Sequence, residues 1–299
     1  MDKHVLGAAP PRQRAAPRRA APWSAWRWRA WAWAGVLLAL LGAGALPSHA
    51  QTQAHPAPPV APGAAFQVPT REGVSTVVYW QAVDSARATV LLFPGGGGGF
   101  GTVSQGLPSG GNFLVRSVPY FLAQGLNVAV LGRPSDSADL GYADRIAPAH
   151  ARDVAQVIAW VQARSAAPLW LVGTSRGTVS VLAVALARQA QGEIAGIVLS
   201  SSILNTAKPG ALPSQDLASL RLPVLMVHHR QDACGVCPPQ ALPAAFEALT
   251  QAAVKKLMWV DGGSAPRGEA CEPWHHHGYV GQERETAEQI AQWLTAPTP

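Results

Sequence analysis

The chain has 299 residues, a formal net charge of +6 and an apolar content of 48%. The charge invites a nucleic-acid or membrane surface, but its distribution excludes one. Residues 1–50 carry seven Lys/Arg against the single acid Asp2, and the remainder holds sixteen basic and sixteen acidic residues, a net of zero that leaves no phosphate-binding face.

The N-terminus reads as an address. Basic residues from Lys3 to Arg29 precede the apolar run Ala30–Leu46, which ends in Pro47-Ser48-His49-Ala50. Small residues at Ser48 and Ala50 suit a signal peptidase cutting before Gln51, so residues 1–50 are expected to be a signal peptide. A run of this length barely spans a bilayer, and an uncleaved anchor is the alternative, the chain's only expected contact with a membrane. The Pro/Ala-rich stretch 51–65 then reads as an extended leader. Residues 66–296 have the size of one α/β domain with one core.

Strands are predicted at Val74–Gln81 and Ala88–Phe93, then a helix at Phe113–Ala123 and a strand at Asn127–Leu131. Next come helix Pro148–Arg164, strand Leu169–Gly173, helix Thr178–Gln189 and strand Ile194–Ser200. The series closes with strand Leu222–His228, helix Pro239–Gln251, strand Lys256–Val260 and helix Glu283–Leu294. Strands alternating with amphipathic helices predict a mostly parallel sheet covered on both faces, with ligands outside the strand C-termini. Only about twenty residues, Ser201–Arg221, join the sixth and seventh predicted strands, too few for more than a small cap.

Chemistry collects at those strand ends. Gly173-Thr174-Ser175-Arg176-Gly177 lies between a strand and a helix, the context that makes G-x-S-x-G a nucleophile elbow. Asp232 lies just past a later strand, and the loop after the last strand carries His275-His276-His277-Gly278. Ser, acid and His thus occur in the order this architecture uses. His277 is the expected base because Gly278 lets the loop turn closely; His276 is the competitor. Strand Ala88–Phe93 empties into the glycine run Gly95–Gly99, where backbone N–H groups can approach an oxyanion without side-chain obstruction. Gly96 and Arg176 are the expected backbone donors, with Gly95 or Gly97 replacing Gly96 if the turn slips. The run also matches G-x-G-x-x-G, but no helix opens after it and no acid ends a strand about 20 residues on, so a nucleotide site is not expected.

Three cysteines fit an exported protein. Cys234 and Cys271 flank the acid and the base, so their bridge would tie the two loops; Cys237–Cys271 and Cys234–Cys237 remain open. A zinc site drawing on His228, His229, His275 and His277 with cysteine is not expected, because adjacent strand residues face opposite ways. His228 and His229 read as ordinary strand-end residues.

From Phe66 to Leu294 the chain resembles the α/β-hydrolase superfamily of serine hydrolases, in particular its small exported esterases and dienelactone-hydrolase-like members. The resemblance rests on Phe93–Gly99, Gly173–Gly177, Arg230-Gln231-Asp232 and His277-Gly278-Tyr279. It implies the α/β-hydrolase fold with a small cap or none, Ser175 as nucleophile, His277 as base and then acid, and Asp232 as the orienting carboxylate. It implies a carboxylesterase acting on a small-molecule ester with no cofactor and no metal, in an open pocket lined by Phe100, Leu204, Trp274 and Tyr279. The alternatives are a thioesterase or amidase, a cofactor-free haloperoxidase or lyase, and a binding protein without turnover.

Overall fold

The computed structural model describes residues 61–299. The expected signal peptide and most of the leader lie outside the described residues. None of the described helices is long and apolar enough to cross a membrane.

The chain enters as β1 (Ala64–Arg71), paired antiparallel with β2 (Val74–Gln81), and continues into β3 (Ala88–Phe93). A small hairpin of β4 (Val103–Ser104) and β5 (Leu107–Pro108) comes next, then helices α1 (Phe113–Arg116) and α2 (Val118–Ala123) and strand β6 (Leu126–Pro134). After these lie α3 (Pro148–Gln162), β7 (Leu169–Thr174), α4 (Arg176–Arg188) and β8 (Gly196–Ser200). The last elements are β9 (Val224–His229), α5 (Leu242–Glu247), β10 (Lys255–Val260) and α6 (Glu283–Thr295). The eight long strands form one sheet in the order β1-β2-β6-β3-β7-β8-β9-β10. It is parallel from β6 to β10 and antiparallel at β1 and β2.

Both faces of the sheet are covered, and β3 shows why its sequence is apolar throughout. Leu91 and Phe93 enter the core shared with Val154, Ile158 and Leu182 of α3 and α4, whereas Val90 and Leu92 enter the core shared with Phe121 and Ile290 of α2 and α6. Period-two alternation between two buried faces demands hydrophobes at every position. β3 is also where the winding reverses: the chain runs from β3 to β6 on one side and returns to β7 on the other. The loops leaving β3 and β7 therefore diverge at their C-terminal ends, the crevice such sheets use for ligands.

Three expectations shift. The single helix Phe113–Ala123 is broken at Ser117, because Pro119 has no N–H to donate and falls in the first turn of α2. The expected helix Pro239–Gln251 shortens to a 3-10 turn at Pro239–Ala241 and α5, with Pro243 again in the first turn. Strand β1, absent from the sequence reading, begins at Ala64. Between β8 and β9 the chain forms only the 3-10 turns Leu212–Ser214 and Leu217–Ser219, so no cap is inserted there.

Candidate active site

Ser175 joins β7 to α4 with φ 53° and ψ −128°, a left-handed conformation for a residue with a side chain. Such a backbone stores on the order of 1–3 kcal/mol and persists only where the surroundings impose it. They do: the Ser175 N–H donates to the Ser200 carbonyl at 3.0 Å, and the Thr178 hydroxyl donates to the Ser175 carbonyl at 2.7 Å. Both flanking glycines are sterically required. A Cβ on Gly173 would lie 2.7 Å from the Gly177 carbonyl oxygen, and one on Gly177 would collide with the Phe93 carbonyl. The second contact brings the end of β3 against the start of α4, which sets the glycine loop beside the serine.

Asp232, buried just past β9, accepts from the Cys234 N–H at 2.9 Å through Oδ1, and its Oδ2 lies 2.9 Å from His277 Nδ1. His228, fully buried, brings Nε2 to 3.4 Å from the same Oδ2 while meeting the Cys237 carbonyl at 3.0 Å. Burial alone would raise the Asp232 pKa, but the hydrogen bonds from His228 and His277 outweigh it and bring it down to about 2. His277, not His276, is therefore the imidazole against the acid; His276 stacks on His229 at 4.5 Å. His228 is more than a strand-end residue, since it gives the carboxylate a second imidazole neighbour.

The histidine segment is held from several sides. Cys234 and Cys271 form a disulfide with Cα atoms 4.6 Å apart, joining the Asp232 loop to the His277 loop. Arg116 of α1 donates to the carbonyls of Gly111, Pro273 and Gly278 at 2.6, 3.0 and 2.5 Å and pairs with Glu283 at 2.9 Å. Gly278 is needed for this approach, because a Cβ there would collide with the Pro273 carbonyl. The Ser201 hydroxyl donates to the His277 carbonyl at 2.8 Å, and the buried Tyr279 hydroxyl donates to the Val227 carbonyl at 3.0 Å. Tyr279 and Leu204 are thus core residues and do not line the site as expected. Trp274 packs under Arg116 at 4.6 Å, outside the cleft, and Phe100 lines a neighbouring groove.

The glycine loop is gripped from behind by Arg145, which is 2% exposed and donates only to neutral oxygens. Its Nη2 reaches the Pro94 carbonyl at 3.2 Å and the Gly96 carbonyl at 3.1 Å, Nε reaches Leu140 at 3.1 Å, and Nη1 reaches the Ser180 hydroxyl at 3.2 Å. Burial, and then the charge of Arg176, lowers the Arg145 pKa to about 10. A trans peptide points its N–H opposite its C=O, so these grips turn the Gly95 and Gly97 N–H groups away from Arg145. The Gly98 N–H closes a turn onto the Gly95 carbonyl at 3.1 Å, which leaves the Gly96 N–H pointing outward. Gly95 and Gly96 line the cleft; Gly97 faces Asp139 and Leu140 instead. Neither Gly96 nor Arg176 donates its N–H to an acceptor among the described residues. The Arg176 side chain lies over the Tyr142 ring at 4.8 Å.

These pieces meet in a cleft of about 150 Å³ shared by Gly95, Gly96, Asn112, Ser175, Glu272 and His277. Ser175 and His277 face it together without a direct hydrogen bond, and the buried Cys237 thiol lies beside the Ser175 hydroxyl. Burial pushes the Cys237 thiol up, keeping it protonated. A larger groove of about 720 Å³ on the other side of the loop shares Gly95 and Asn112 with the cleft. Of the histidines weighed for zinc only His277 joins a cluster of donor atoms, with Cys234 and Cys237 within 4.8 Å. The Cys234 sulfur is committed to the disulfide, so two donors remain, too few for a metal centre. Arg145, Asn112 and Arg116 escaped the sequence reading, and the place of His228 beside Asp232 was missed, because each acts through neighbours that only the tertiary fold supplies.

No family model matches the chain, and no curated protein matches it. Solved structures do. The chain is similar to a lidless α/β serine hydrolase from Xanthomonas campestris, with 20% identity, a TM-score of 0.52, and 81% of this chain and 100% of that one covered. It is similar to dienelactone hydrolase from Anabaena variabilis, with 16% identity, a TM-score of 0.54, and coverage of 78% and 97%. It is likewise similar to a predicted CIB-like hydrolase from Thermoplasma acidophilum, with 17% identity, a TM-score of 0.52, and coverage of 78% and 98%. With its mostly parallel eight-stranded sheet, its helices on both faces and no inserted cap, the chain has the α/β-hydrolase fold.

Proposed function

We propose that the protein is a serine hydrolase that cleaves carboxylic esters of small molecules through an acyl-enzyme. The observation that carries this reading is the buried Asp232–His277 pair at 2.9 Å, opening on the cleft that holds Ser175 on its strained turn. His277 Nδ1 donates to Asp232, which leaves Nε2 as the atom that accepts the Ser175 proton. The hydrogen bond between them closes as substrate fills the cleft, as catalytic contacts in unliganded sites often do. Serine oxygen attacks the carbonyl carbon, the oxyanion forms against the Gly96 and Arg176 N–H groups, and the alcohol leaves with the proton held by His277. Water then enters, gives its proton to His277, attacks the acyl carbon and releases the acid, returning the proton to Ser175. Thioesters and amides would use the same groups, and the cleft of about 150 Å³ suits a small acyl group.

The apolar run Ala30–Leu46 after a basic flank, together with a disulfide, supports an exported, oxidising location. A fluorophosphonate probe tests the chemistry: it labels Ser175 stoichiometrically in the wild type and fails to label His277→Ala. A panel of p-nitrophenyl esters of varied acyl length then reports the substrate range. Well-folded protein that neither takes the probe nor releases p-nitrophenol refutes the proposal.

A further inference from the structure

We infer that the Asn112 carboxamide is a side-chain donor to the oxyanion, an addition to the two backbone N–H groups; this rests on the serine-hydrolase reading. Asn112 caps α1, its Oδ1 accepting from the Leu114 N–H at 3.1 Å. A backbone N–H can only donate, so this bond fixes the amide: oxygen toward the helix, nitrogen away from it. The nitrogen borders the glycine loop on the side of Ser175. Asn112 Nδ2 lies 3.3 Å from the position a Cβ on Gly95 would take, and that same point is 2.8 Å from Ser175 Cβ. Nδ2 meets no acceptor among the described residues, although Asn112 is half-buried and lines the cleft with Ser175, Gly96 and His277. An uncommitted donor in that position is suited to charge that appears only during reaction.

The position is rigid. The Gly110 N–H donates to the Phe100 carbonyl at 2.9 Å, docking this segment onto the glycine loop. A Cβ on Gly110 would lie 3.0 Å from that carbonyl, so the close approach favours glycine. On the other side Arg116 holds the Gly111 carbonyl at 2.6 Å and ties it to the histidine segment. Asn112 is therefore fixed relative to both the loop and the base, the condition for a preorganised donor. It also sits where the cleft meets the larger groove, so a substrate extending into that groove passes its amide.

Two substitutions separate this role from helix capping. Asp and Ser are both good N-caps, so Asn112→Asp and Asn112→Ser keep the bond to Leu114 N–H and the melting temperature. Neither supplies a donor that reaches the oxyanion: Asp brings a carboxylate, and Ser is neutral and short. Both are expected to lower kcat on p-nitrophenyl acetate by about 10²–10³-fold with KM little changed. Both should weaken inhibition by a trifluoromethyl ketone, which forms the tetrahedral adduct, by a similar factor. Asn112→Ala loses the cap as well, so it alone should also lower the melting temperature. Asn112→Ser with kcat within threefold of wild type overturns the role, even where Asn112→Asp is slow through charge repulsion. A wild type that hydrolyses no ester overturns the serine-hydrolase reading and the role with it; Ser175-dependent turnover unaffected at Asn112 overturns the role alone.

Discussion

Removing the disulfide between Cys234 and Cys271 perturbs stability by an amount that the chain itself sets. The two residues are 37 apart in sequence. Closing a loop of about 15 residues restricts the unfolded ensemble by roughly 3 kcal/mol and one of about 100 by roughly 4.7, so this bridge contributes about 4 kcal/mol. Cys271→Ala alone would leave Cys234 beside the buried Cys237, within reach of a new pairing. The double variant Cys234→Ala/Cys271→Ala avoids it. Guanidinium unfolding at neutral pH, compared with wild type under non-reducing conditions, is expected to show a loss of about 3–4 kcal/mol, with a somewhat steeper slope because the unlinked unfolded chain exposes more surface. The folded double variant should retain turnover at a reduced kcat, because Arg116 still braces Pro273 and Gly278. A loss under about 1 kcal/mol would refute the loop-closure reasoning. A folded variant with no turnover at all would show that the bridge, rather than Arg116, sets the spacing of acid and base.

Three further outcomes are expected. Ser175→Gly should abolish turnover yet raise stability by about 1 kcal/mol by relieving the left-handed serine, whereas Ser175→Ala should abolish turnover without that gain; thermal melts of the three proteins check this. Arg145→Met should lower kcat at least tenfold with a smaller effect on KM, since the Pro94 and Gly96 carbonyls lose the grip that orients the glycine loop, and steady-state kinetics reads the split. Asp232 is held at about 2, below its ordinary 3.8, so its stabilising share is complete above about pH 4 and disappears as pH falls toward 2. Urea unfolding from pH 7 to pH 2 should show this acid loss, about 2 kcal/mol, in wild type and not in Asp232→Asn.

Sequence alone located β2 and β3 residue for residue, because a compact apolar run bounded by turn residues has few other uses. It missed β1, whose Pro69 argues against a strand; the structure tolerates Pro69 because β1 is an edge strand with no partner on its outer side among the described residues. That Ser175, Asp232 and His277 would come together was legible because Ser175 and Asp232 lie just past strand ends and His277 on the loop after β10, in a fixed chain order. The choice of His277 over its neighbours needed the geometry of Asp232. The pocket lining was misread at Tyr279 and Leu204, since nearness to a site in sequence does not say which way a side chain turns. Arg145 gave no signal: a lone arginine in a polar loop looks solvated until the backbone of residues 94–96 is folded over it.

The approach to the histidine is built differently from its end. Residues 261–269 are exposed to solvent throughout, while Cys271, Glu272 and Pro273 form one wall of the cleft. The outer excursion is tied back to this segment at two points, the Arg267 N–H donating to the Trp274 carbonyl and the Ser264 N–H to the Val280 carbonyl, each at 2.9 Å, while the bridge at Cys271 and the brace on Pro273 hold the part nearer His277. Rewriting that excursion is therefore expected to reach the imidazole only where it breaks one of these two backbone bonds.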